Sequence, residues 1–120
     1  MEISTNVVSG VLILAITGRM DSNDAQKLEV ACHDFPDMPV VLDMLHVEYI
    51  NSSALRGLLE FNRGLRTHGT RLILVESTNG FADRILRITG FSQVFRIVPS
   101  VPEAVQALSG EDGSSSEKIS

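Results

Sequence analysis

The chain has 120 residues, 43% of them hydrophobic and 21% charged, which suits one domain built around one core. Ten basic residues stand against 15 acidic ones, and the formal net charge of -5 argues against a nucleic-acid surface, which needs a basic stripe. The single cysteine, Cys32, excludes an internal disulfide and agrees with a reducing compartment.

Glu2 to Val8 reads as a strand, Ser9-Gly10 as a turn, and Val11 to Thr17 as a second strand, together a β-hairpin. Gly18-Arg19-Met20-Asp21 leaves the sheet, and Asp21 or Ser22 is placed to cap a helix. Ala25, Leu28, Ala31, Cys32 and Phe35 give that helix one apolar face, so Cys32 reads as a small core residue. Val40-Val41-Leu42 has the continuous β-branched character of a strand covered on both faces. Residues 51–68 form an amphipathic helix stopped by Gly69, and Arg71 to Val75 a second covered strand. Phe81 to Thr89 is a helix stopped by Gly90, and Phe95 to Val98 a short strand. Ser100-Val101-Pro102-Glu103 is a capping box opening a last helix that ends near Leu108. A hairpin followed by strand–helix repeats implies an α/β fold. We expect a mixed sheet of four to five strands, with the later strands parallel and about four helices packed on it.

The expected domain is residues 1–108. Residues 109–120, SGEDGSSSEKIS, hold almost nothing apolar and read as a disordered tail. No cationic stretch followed by an apolar run opens the chain. Its longest apolar run, Val11 to Ile16, is too short for a bilayer. The reading is a soluble cytoplasmic protein with no membrane insertion. The partner is expected to be a protein and not a nucleic acid.

Asn51-Ser52-Ser53-Ala54 follows a strand and opens a helix, where free N–H groups and the positive dipole end meet two hydroxyls. A serine there caps the helix, binds an anion or receives a phosphate, and spacing alone favours capping. A helical projection gathers Leu55, Leu58, Leu59, Phe61 and Leu65 on one side. Ser53, Arg56, Gly57, Glu60, Arg63, Gly64 and Thr67 fall on the other, solvent-facing side. Ser53 and Arg56 are three residues apart and within reach of each other. A phosphate on Ser53 would be favoured by Arg56 and the helix end and opposed by Glu48. Gly57 and Gly64 are disfavoured by propensity on an exposed helix, which suggests close approach by a partner backbone; a helix-weakening end or a loop packed there is the alternative.

Other chemistries find little support. A serine hydrolase needs a base and an orienting acid, and His33, His46 and His68 stand in no such pattern. No Gly-x-Ser-x-Gly element accompanies them. Three histidines and one cysteine at wide spacings make no metal-ligand set. No phosphate-cradling loop is present. We expect no enzyme activity and no cofactor.

Three segments resemble the STAS-domain family, whose best-known members are anti-sigma factor antagonists. Gly18-Arg19-Met20-Asp21 is similar to the family's G-x-[LI]-D. Val40-Val41-Leu42-Asp43-Met44, leading through Val47-Glu48-Tyr49-Ile50 to Asn51-Ser52-Ser53-Ala54-Leu55, resembles V-x-D-L followed by D-S-S-G-[LV]. Thr89-Gly90-Phe91 with Val94-Phe95 is similar to T/S-G-L followed by [LI]-F. The likeness runs from about Ile3 to Leu108.

The resemblance implies a STAS-like fold and a mechanism. The second serine of the motif, here Ser53, would be the phosphoacceptor of a serine kinase that is also an anti-sigma factor. The unphosphorylated antagonist would bind that kinase, and a metal-dependent serine/threonine phosphatase would restore it. Asp21, Asn51, Ser52, Ser53, Ala54, Arg56, Gly57 and Glu60 would form the docking surface. Asn51 stands where the family has Asp, keeping the cap and losing the charge; Ala54 stands where it has Gly, adding a methyl after Ser53. The competing expectation is a STAS scaffold without phosphorylation, in a stress-sensing assembly or a transporter-associated complex.

Overall fold

Ser9 and Gly10 both take positive φ, 55° and 76°. That is the two-residue turn whose twist suits a hairpin. It joins β1 (Glu2–Val8) to β2 (Val11–Met20), antiparallel, with Val8 opposite Val11 and Glu2 opposite Thr17. The computed structural model describes residues 1–21, 23–76, 84, 87, 90 and 95–117, of which 110–117 for helical backbone alone. In chain order there follow α1 (Asp24–Cys32), β3 (Val40–Ile50), α2 (Ser52–Thr67), β4 (Leu72–Val75), β5 (Arg96–Val98) and α3 (Val101–Glu117). The expected helix over Phe81–Thr89 lies largely outside the described residues, as do Ser22, Phe91 and Val94.

The strands form one mixed sheet in the order β1-β2-β3-β4-β5, with every pair after the hairpin parallel. Side chains alternate faces along each strand, so each face needs its own cover. On one face, Leu12, Leu14 and Ile16 of β2 and Leu42 of β3 join Leu28 of α1 and Leu55, Leu58 and Phe61 of α2. On the other, Val11, Ile13, Val41, Ile73 and Val75 meet Ala104 and Leu108 of α3. Cys32 packs partly buried at the margin of the first cluster.

β3 is longer than its apolar core suggests. Its positions buried on the α1–α2 face are Val40, Leu42, Met44, Val47 and Ile50, two apart at first and then three. Twice, β3 takes one residue more than β2. Ala15 pairs with Asp43 and Thr17 with His46; Gly18 pairs with Val47 and Arg19 with Tyr49. Each extra residue is a bulge that restores the inward phase. At the first bulge Asp43 Oδ1 accepts the Leu45 N–H at 3.1 Å. At the second, Gly18 on the facing strand has φ 90°, a backbone open to glycine at little cost. The bulges carry β2 and β3 onward together, and the Asn51 N–H donates to the Met20 carbonyl at 3.4 Å. Asp21 and Asn51 thus leave the carboxyl ends of neighbouring parallel strands, where α/β sheets commonly build their sites.

α3 opens as its sequence predicts. The Glu103 N–H donates to Ser100 Oγ at 3.3 Å, and that hydroxyl lies 3.1 Å from Glu103 Oε1. The helix runs to Glu117, past the expected end near Leu108. Its apolar anchors, Ala104 and Leu108, lie in the first half, which is why periodicity stops short of the helix.

Candidate functional site

Asn51, and neither serine, caps α2. Its backbone is extended, with φ -102° and ψ 174°, and its Oδ1 accepts the Ala54 N–H at 2.8 Å. The Leu55 N–H donates to the Asn51 carbonyl at 3.0 Å and starts the helical ladder. Asn supplies this bond as well as the Asp expected from the motif. Ser52 and Ser53 occupy the first two helical positions, both exposed. Among the described residues neither hydroxyl makes a hydrogen bond. Their backbone N–H groups are two of the four that the first turn leaves without intrahelical acceptors. The helix end therefore offers an exposed Ser53 hydroxyl on a positive dipole pole.

The helix projection agrees with the buried set. Ala54, Leu55, Leu58, Phe61 and Asn62 are buried, and Ser53, Arg56, Glu60, Arg63, Gly64 and Thr67 are exposed. Ala54 is the exception among the expected docking residues. It is 2% exposed and belongs to the core beneath α2. Its methyl turns inward and forms no part of the outer surface, so the change from Gly leaves the surface beside Ser53 open.

Gly57 also has an internal explanation. A Cβ there would lie 2.6 Å from the Ala25 Cβ of α1. The small residue is required by α1, which crosses α2 at this point. Sequence reasoning missed this because Ala25 lies 32 residues away. Nothing lies within 4 Å of a Cβ at Gly64, so no comparable contact explains that glycine.

Between the two helices, beside Ser53, is an open depression of about 570 Å³. Ser52, Ser53, Arg56 and Gly57 line it from α2, with Gln26 and Glu29 opposite on α1. Glu60 closes its far end. Arg56 is the cation nearest in sequence to Ser53 and shares the depression with two carboxylates. Asp21 stands beside α1, exposed, with its Oδ1 accepting the Asn23 N–H at 3.1 Å. The Asp21 N–H donates to the buried carboxylate of Asp24, which Lys27 approaches at 3.3 Å. These bonds fix the turn between β2 and α1 and hold Asp21 near the head of α2.

A more apolar groove of about 460 Å³ lies at the other end of the α1–α2 pair, between Cys32, Phe35, Met38, Phe61 and Leu65. The Cys32 thiol is pushed up to about 11, first by desolvation and then by Glu29. It is a poor nucleophile at neutral pH. On the opposite face of the sheet from Met20 and Ile50, the Arg19 guanidinium stacks over the Tyr49 ring, 4.3 Å from its centroid. This pair ties the ends of β2 and β3 together.

A mixed sheet with a serine step at the head of its central helix, built on these motifs, defines a family. The STAS domain model matches residues 2–104, and the chain belongs to the STAS-domain family. It is 30% identical over 110 residues to the provisionally named anti-sigma factor antagonist BtrV of Bordetella bronchiseptica, covering 89% of this chain and 94% of BtrV. The crystal structure of an anti-sigma factor antagonist from Mycobacterium paratuberculosis superposes with a TM-score of 0.74 at 24% identity, covering 89% of this chain and 92% of that one. The anti-sigma factor antagonist SpoIIAA, in its unphosphorylated form, superposes with a TM-score of 0.70 at 15% identity, covering 91% and 97%. The fold is shared by both solved structures. Among the described residues no helix is long and apolar enough to cross a membrane.

Proposed function

We propose that this protein is an anti-sigma factor antagonist switched by phosphorylation of Ser53. Unphosphorylated, it binds a serine kinase that doubles as an anti-sigma factor. Phosphorylated, it is released, and a metal-dependent serine/threonine phosphatase restores it. The single observation that carries this reading is the division of labour at the helix head. Asn51 does the capping, which leaves the Ser53 hydroxyl exposed and available to a kinase.

The chemistry at that point suits a switch. A phosphate adds about −1.5 to −2 charges at pH 7. The N-terminal pole of α2 and Arg56 make that charge tolerable within the fold. Glu29 and Glu60, in the same depression, leave the modified surface strongly negative. A partner docked over Ser53, Arg56 and Glu60 would then meet both new bulk and new repulsion. Asp21, Ser52 and the α1 side of the depression would form the rest of the contact. The protein acts here as a binding partner and a kinase substrate, without catalysis of its own.

The reading is tested by incubating the protein with ATP and serine kinases of the anti-sigma type from the same genome, followed by intact mass and peptide mapping. One phosphate on Ser53, absent from Ser53→Ala, is the expected result. Modification of Ser52 instead, or none by any of these kinases, would contradict it.

A further inference from the structure

β1 is the outer strand of the sheet, paired with β2 on one side and with no described strand on the other. The opposite edge is guarded. β5 has three residues and begins with Arg96, and short or charged edges resist further pairing. β1 has no such guard. It has seven residues, one charge at Glu2, no proline and no lysine, and its register against β2 is unbroken. Val7 and Val8 on it are 41% and 39% exposed.

The turn decides which backbone groups face outward. A two-residue turn closes on a hydrogen-bonded pair, here Val8 with Val11. Alternation along an antiparallel ladder then directs the N–H and C=O of Glu2, Ser4, Asn6 and Val8 toward β2. Those of Ile3, Thr5 and Val7 point away from the sheet. The Val7 N–H agrees, since it donates to the Asn6 side-chain oxygen at 3.0 Å and not into the ladder.

We propose that β1 is a homodimer interface, pairing antiparallel with β1 of a second copy in a register centred on Thr5. Thr5 then faces Thr5, Ile3 faces Val7, Ser4 faces Asn6 and Glu2 faces Val8. Ile3, Thr5 and Val7 become the hydrogen-bonded positions, which gives about six bonds across the junction. The Asn6–Val7 contact is exchanged for one of them. Thr–Thr and Ile–Val pairs are favourable across strands, and the one charge meets an apolar residue and not its own copy. Antiparallel pairing of a strand with itself is two-fold and self-complementary, so it closes at a dimer instead of growing into a fibre. Those matches of register, charge and outward donors favour a second copy over an unrelated strand. The interface lies on the hairpin edge, away from Ser53, and does not depend on the switch.

Sedimentation of the full chain from roughly 10 µM to 1 mM tests this, spanning the affinities of small transient interfaces. The wild type should show a monomer–dimer equilibrium with a dissociation constant on the order of 10–100 µM. Thr5→Lys places two cations face to face, and Thr5→Pro removes an outward N–H that β2 does not use. Both should weaken the dimer at least tenfold with the thermal midpoint unchanged. If the proline variant misfolds, the lysine variant carries the test. A single 13.1 kDa species at every concentration would overturn the proposal, including the case in which β1 serves another protein's strand. So would a dimer whose constant is unchanged in Thr5→Lys.

Discussion

At the scale of single residues, the head of α2 separates two roles that sequence alone leaves entangled. Asn51 holds the Ala54 N–H, and the serines hold nothing among the described residues. Asn51→Ala should therefore cost about 1 kcal/mol in urea or thermal denaturation. Ser53→Ala should stay within about 0.5 kcal/mol of the wild type, as for an ordinary surface change. A large loss from Ser53→Ala would make that serine a structural cap and remove the reason for calling its hydroxyl available. Cys32 offers a second check at this scale. Its pKa is raised from 9.0 to about 11, so its alkylation rate should keep rising with pH well beyond 9, where an ordinary thiol levels off. The sign for stability follows. The protonated thiol is favoured in the fold, so its contribution is complete below about 9 and is lost as pH rises through about 11. An alkylation profile that levels near 9 would show that the thiol is not desolvated.

At the scale of elements, the crossing of α1 and α2 sets the shape of the depression beside Ser53. Gly57→Ala gains about 1 kcal/mol of helix propensity but forces a methyl against Ala25, an overpacking that costs about 1–3 kcal/mol. The net should be a destabilisation of about 1 kcal/mol, whereas Gly64→Ala, with open space, should stabilise by about 0.5–1 kcal/mol. Equal shifts from the two substitutions, read as changes in unfolding midpoint, would contradict the packing argument. The same helices show what the sequence made legible. The α2 projection placed Ser53 and Arg56 outside and Leu55 and Leu58 inside because its period is uninterrupted. β3 was harder to read. Its inward residues switch from two-residue to three-residue spacing at the bulges, so only Val40-Val41-Leu42 looked like a strand. Gly57 suggests a partner contact in the sequence because its true neighbour, Ala25, belongs to another helix. The motif places Ala54 next to Ser53 and so suggests a surface position; in the helix, one further residue turns it into the core.

At the scale of the whole molecule, the sheet divides its tasks between its ends and edges. Both faces are closed by helices, the carboxyl ends of β2 and β3 present Asp21 and Asn51, and α2 carries Ser53 outward from that point. The core lies beneath this surface, so a phosphate added there changes charge without disturbing packing. Calorimetric titration of the proposed anti-sigma kinase partner with this protein, bearing either serine or phosphoserine at position 53, tests the central claim most directly. The account predicts tight binding by the unmodified protein and by Ser53→Ala. It predicts a loss of at least about 100-fold on phosphorylation, corresponding to about 3 kcal/mol. Equal affinity of the serine and phosphoserine forms would contradict it.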